Sequence, residues 1–88
     1  MSHTPRANVI LTAEALDQYA KLPRTIKARV LTLTERLRDW PDVSGAKPLR
    51  RELAGRYRMR TGDYRIQFRV EGETVTVEKI GHRGRFYE

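Results

Sequence analysis

The strongest constraint on the fold lies in the second half of the chain, where the spacing of apolar residues becomes two. In Arg56-Tyr57-Arg58-Met59-Arg60, Tyr57 and Met59 alternate with three arginines. From Tyr64 to Val70, Tyr64, Ile66, Phe68 and Val70 alternate with Arg65, Gln67 and Arg69. Successive side chains of a strand point to opposite faces, so each run has one apolar face and one polar, mostly basic face. Thr61-Gly62-Asp63 places the glycine of a tight hairpin between them. Glu71-Gly72-Glu73 turns the chain again, and residues 74–80 form a third strand with Val75 and Val77 inward. The result is a three-strand antiparallel meander with an apolar side that must be covered.

The first half of the chain supplies the cover. After a loose start over residues 1–5, residues 7–11 read as a short strand. Thr12 caps a helix that runs to about Lys21, with Glu14 favoured in its first turn by the helix dipole. This helix is expected to bury Leu16 and Ala20, with Tyr19 alongside. Leu22-Pro23 ends it, because the residue before proline is pushed out of the helical region. A second helix from about Arg24 to Asp39 carries Ile26, Val30, Leu33, Leu37 and Trp40 at alternating spacings of four and three, which makes one apolar stripe. Residues 41–55 are rich in turn formers, with Leu49 and Leu53 as anchors. The 88 residues leave room for a single domain. The expected fold is α+β, two N-terminal helices packed on one face of a small antiparallel sheet, with a basic opposite face.

Parity fails at one place. Continued from Val75 and Val77, the alternation turns Lys79 inward and Ile80 outward. A β-bulge between Glu78 and Ile80 would repair this and turn Arg83 toward the arginine face. Without a bulge, His82 takes that place, and the sequence leaves both arrangements open. Glu78 falls on the arginine face in either case and is expected to pair with an arginine there.

Charge narrows the choice of partner. The formal net charge is +7, and 14 of the 18 basic residues are arginine. Lys47, Arg50, Arg51, Arg56, Arg58, Arg60, Arg65 and Arg69 stand against only Glu52 and Asp63, so one stretch holds about +6 of that charge. Arginine presents a planar fork of donors suited to phosphate and carboxylate and does not lose its proton in water. Such a face fits a polyanion or an acidic protein. Single-stranded RNA suits a short sheet face better than duplex DNA. The absence of cysteine excludes disulfides and cysteine-held zinc, and the two histidines, His3 and His82, are too far apart in the chain to suggest a metal site. No cofactor is expected. No apolar run can span a bilayer, so no membrane partner is expected and the location is read as cytoplasmic.

Leu49 and Tyr57-Arg58-Met59-Arg60, then Gly62-Asp63-Tyr64-Arg65-Ile66, Ile80-Gly81-His82-Arg83 and Tyr87, together with the Leu22-Pro23 link, resemble the RelE/ParE superfamily of small bacterial toxins. The resemblance covers nearly the whole chain and implies the fold just described. It further implies a toxin of a type II toxin–antitoxin system that cleaves messenger RNA on the ribosome, by attack of a ribose 2′-hydroxyl on the adjacent phosphate without a metal. By motif, the catalytic positions are Arg58, Arg60, Arg65, His82, Arg83 and Tyr87. Further RNA contacts fall to Lys47, Arg50, Arg51, Arg56, Arg69 and Arg85. RelE-like members often carry lysine where this chain has Arg58 and Arg60. Arginine is a poor proton acceptor, which leaves His82, with an ordinary pKa of ~6.5, and Tyr87, at ~10, as candidates for proton transfer.

The implied partners are an acidic cognate antitoxin, the ribosome with its messenger, and operator DNA only through the antitoxin complex. Two other readings stand beside the nuclease: a ParE-type toxin that inhibits DNA gyrase without cutting RNA, and an inactive RNA-binding relative.

Overall fold

Five strands and two helices succeed one another as β1 (Asn8–Leu11), α1 (Ala13–Ala20), α2 (Arg24–Arg36), β2 (Lys47–Pro48), β3 (Arg56–Thr61), β4 (Tyr64–Glu71) and β5 (Thr74–His82). This computed structural model describes residues 7–49 and 55–82. The expectations for residues 1–5 and for Arg50, Arg51, Leu53, Arg83, Arg85 and Tyr87 lie outside the described residues. The strands form one sheet in the order β1-β5-β4-β3-β2. β3, β4 and β5 are the antiparallel meander, joined by two-residue loops in which Gly62 and Gly72 take positive φ of 59° and 58°. Only glycine adopts that backbone without strain, which fixes the register of both hairpins. The sheet is not purely antiparallel, because β1 pairs parallel with β5. β2 adds a two-residue edge beside β3.

Thr12 caps α1, its hydroxyl accepting from the Ala15 N–H at 3.1 Å. Within α1 the buried residue is Ala15, while Leu16 is 58% exposed and Ala20 also faces solvent. The expected burial of Leu16 and Ala20 is therefore corrected. α1 lies along β5 where β1 ends, and it turns Ala15 and Gln18 to the sheet, with Tyr19 packed at the margin of the core as expected. α2 buries Val30 and Leu33, and a 3-10 turn over Leu37–Asp39 continues the stripe through Leu37. Trp40 then packs edge-on against Tyr57 and Phe68, with ring centroids 4.7 and 5.5 Å away. From the sheet come Met59, Ile66, Phe68, Val75, Val77 and Ile80, all buried, with Tyr57 and Val70 packed at the margin. No helix of the described residues is long and apolar enough to cross a membrane.

β5 carries the bulge. Gln67 pairs with Lys79 but Phe68 pairs with Val77, so Glu78 is the extra residue. Ile80 thereby returns to the core, opposite Ile66.

Candidate nucleic-acid interface

Cross-strand partners share a face, so the register assigns the surface opposite the helices. One row across it is Lys47, Arg58, Gln67 and Lys79; the next is Arg60, Arg65 and Gly81; a third holds Arg56, Arg69 and Thr76. The arginines expected from parity (56, 58, 60, 65 and 69) therefore share one face. Lys47, on the edge strand, joins them, and an open cleft of about 400 Å³ beside that edge is lined by Gly45, Lys47, Arg58, Met59, Arg60 and Gly62.

The face divides into two groups of residues. Glu78 sits in the first. Its carboxylate accepts from Arg56 Nε at 2.8 Å and from Arg69 Nη1 at 3.1 Å. The Arg56 guanidinium is held above its ordinary pKa, chiefly by the hydrogen bond to Glu78 and then by that carboxylate's charge. Arg69 Nε also stands 2.6 Å from Glu71 Oε1, close enough for charge attraction, although its N–H lacks the alignment of a hydrogen bond. Glu78 was expected to hold one arginine and holds two, because the bulge sets it between the ends of Arg56 and Arg69. Their positive charge is met by carboxylates.

The second half gathers Lys47, Arg58, Arg60, Arg65 and Lys79. Lys47 and Arg60 are exposed, and Arg58, Arg65 and Lys79 are half-buried. Arg60 and Arg65 are direct cross-strand partners, with Gly81 beyond Arg65. Like charges on facing positions cost about 0.2–1 kcal/mol per pair, so an anion that bridges them gains in proportion. Lys79 was not among the expected site residues. Its signal was the parity conflict itself, since a bulge that returns Ile80 to the core also turns Lys79 out.

The same bulge moves His82 to the other face. His82 pairs with Tyr64, and the two rings meet edge to face with centroids 5.4 Å apart. Tyr64 shares its side with Ile66 and Phe68, so His82 stands on the helix-bearing face, away from Arg58, Arg60 and Arg65. Of the two arrangements that the sequence leaves open, the register takes the one with a bulge. Arg83 and Tyr87, like Arg50, Arg51 and Arg85, lie beyond the described residues.

A family model described as the ParE toxin of the type II toxin-antitoxin system, parDE, matches residues 9–87. Toxin RelG of Mycobacterium tuberculosis is 36% identical over 81 residues, which cover 90% of this chain and 93% of that protein. The crystal structure of the toxin-antitoxin complex RelBE2 from Mycobacterium tuberculosis contains a chain that matches with a TM-score of 0.77 at 35% identity, covering 93% of this chain and 95% of that one. The isolated RelE toxin of E. coli shares the fold, with a TM-score of 0.71 at 18% identity over 84% of this chain and 81% of that one.

Proposed function

The chain belongs to the RelE/ParE superfamily of toxin–antitoxin toxins, and from that premise we propose that it arrests growth as a ribosome-dependent messenger endoribonuclease. The observation that carries this reading is the second half of the arginine face. Arg60 and Arg65 face each other across β3 and β4, Arg58 stands one row away, and Glu78 is committed to Arg56 and Arg69 instead. Attack of a 2′-hydroxyl, which gives up its proton, on its neighbouring phosphate breaks the bond to the 5′-oxygen, which leaves as a hydroxyl, and on the way puts extra negative charge on the phosphate oxygens. Fixed guanidinium groups aimed at that charge are a large catalytic contribution, and strands hold them with little reorganisation. Arg58, Arg60 and Arg65 take this role, and Lys47 holds the flanking backbone. By motif, Arg83 and Tyr87 are assigned to the same reaction. Tyr87 is assigned to stack on a base or move a proton, since His82 stands on the far face. A site without a well-placed base depends on the ribosome to align the attacking oxygen, which can supply several kcal/mol of the barrier.

The partner that controls it is an acidic antitoxin of the RelB kind, drawn by charge to the basic surface, and operator DNA is reached only through that complex. The solved relative from Mycobacterium tuberculosis is a toxin–antitoxin complex, which supports this partner.

The test is a purified translation system programmed with a defined messenger. The nuclease reading expects cuts inside codons, only when ribosomes are present. Intact messenger beside arrested growth would contradict it. The matching family model is described as ParE, which favours a second reading, inhibition of DNA gyrase. Loss of gyrase supercoiling with normal translation is the outcome that selects it.

A further inference from the structure

The bulge at Glu78 decides which face Lys79 occupies. In an unbroken ladder Lys79 would continue the inward set of Val75 and Val77. With Glu78 inserted, Lys79 instead pairs with Gln67 on the arginine side. The placement is held from the opposite face by α1. The Thr12 hydroxyl donates to the Glu78 carbonyl at 3.3 Å, and the Ile80 N–H donates to Gln18 Oε1 at 2.7 Å. A bulge removes backbone groups from the ladder, and here the cap and a polar side chain of α1 take them up. The irregularity is thus specified by the fold.

Lys79 completes a row that runs across four strands, Lys47–Arg58–Gln67–Lys79. Three strand spacings of ~4.8 Å make this row roughly 14 Å long, with a lysine at each end. Two of the four lysines in the chain, where arginine dominates, are these two. Arg65 lies on β4 between Arg58 and Arg60 on β3 and Lys79 and Gly81 on β5. Gly81, its direct partner, has no side chain.

We propose that Lys79 is a further RNA-contacting residue of this site, gripping a backbone phosphate on the β5 side of Arg65. The inference rests on the RNA reading above and adds a cation that the motif-based set lacks. The grip is a point charge on a flexible stem, so it tolerates arginine but not a neutral side chain.

The experiment measures binding of the full chain to a labelled single-stranded RNA oligonucleotide over a range of KCl concentrations. Lys79→Gln is expected to weaken binding about tenfold, as for one lost hydrogen bond to a charged group. It should also reduce the slope of log affinity against log salt by about 0.7, one phosphate contact on a single strand. Lys79→Arg should retain both values, and Lys21→Ala, remote from the face, should change neither. A merely structural lysine would leave the salt slope unmoved. Should Lys79→Gln fail to fold, Lys79→Met keeps the apolar stem and carries the same expectation. Unchanged affinity and slope in Lys79→Gln, with Arg65→Ala clearly weakened, overturns the Lys79 assignment alone. No RNA binding by the wild-type chain overturns the RNA reading, and Lys79 with it.

Discussion

The backbone N–H of Ile80 donates to Oε1 of Gln18 across 2.7 Å, and so ties α1 to the strand that bears the bulge. Ile80 is 2% exposed, so its N–H has little access to water as a substitute acceptor. Gln18→Leu is expected to destabilise the chain by about 1–3 kcal/mol, the usual penalty for a buried unpaired donor. Each kcal/mol lowers the melting temperature by about 4–8 °C in a domain of this size. Gln18→Glu keeps an acceptor and should lose less. Thermal denaturation of the two variants checks the pair, and equal melting temperatures for Gln18→Leu and wild type would refute it.

Glu78 balances the arginine face. Glu78→Gln leaves Arg56 and Arg69 facing each other as like charges, so its melting temperature should fall, by more at low salt than at high salt because salt screens the repulsion. Its affinity for single-stranded RNA should rise. The raised pKa of Arg56 gives a simple pH expectation. A cation stabilised in the folded state contributes fully below its unfolded value, which for arginine lies far above neutral, and loses that contribution only as pH rises through the still higher folded value. Titration of this guanidinium should therefore produce no change in melting temperature across neutral pH.

The two halves of the arginine face should separate by mutation. Arg56→Ala removes a scaffold cation, so melting temperature should fall while messenger cleavage stays within a few-fold of wild type. Arg65→Ala removes a charge from the proposed phosphate site, and cleavage should fall by about 10²–10³, the scale seen when one transition-state donor is deleted. Parallel melting curves and cleavage assays give the comparison, and equal cleavage loss in both variants would contradict the division.

Leu16, expected to be buried, is exposed, and Ala15 is buried in its stead. Leu16→Ser at an exposed position should stay within about 0.5 kcal/mol of wild type. Ala15→Leu, at a fully buried position against the sheet, should cost about 1–3 kcal/mol through overpacking. Chemical denaturation distinguishes the two directly.

These positions show how much of the molecule was legible in its sequence. The meander was, because alternation over β3 and β4 is unbroken and glycine marks both turns. The α2 stripe was, because Val30, Leu33 and Leu37 repeat over about two turns. α1 was misjudged because eight residues give too short a pattern to tell Ala15 from Leu16, and its buried face is shaped by the end of β1. The parallel pairing of β1 with β5 has no local signal, and β2 is only two residues in a turn-rich stretch. Within the site, Arg58, Arg60 and Arg65 followed from parity and motif. Lys79 and the displacement of His82 both depended on one inserted residue, whose presence the sequence suggested but whose consequences only the register displays.

The most direct test of the central claim is cleavage of a ribosome-bound messenger in a single turnover, wild type against a chain with both Arg60 and Arg65 changed to alanine. Matched melting temperatures must first show that both chains are folded. The account predicts codon-internal cuts by the wild type and a loss of at least 10² in rate for the variant. Cleavage by the variant at the wild-type rate would contradict it.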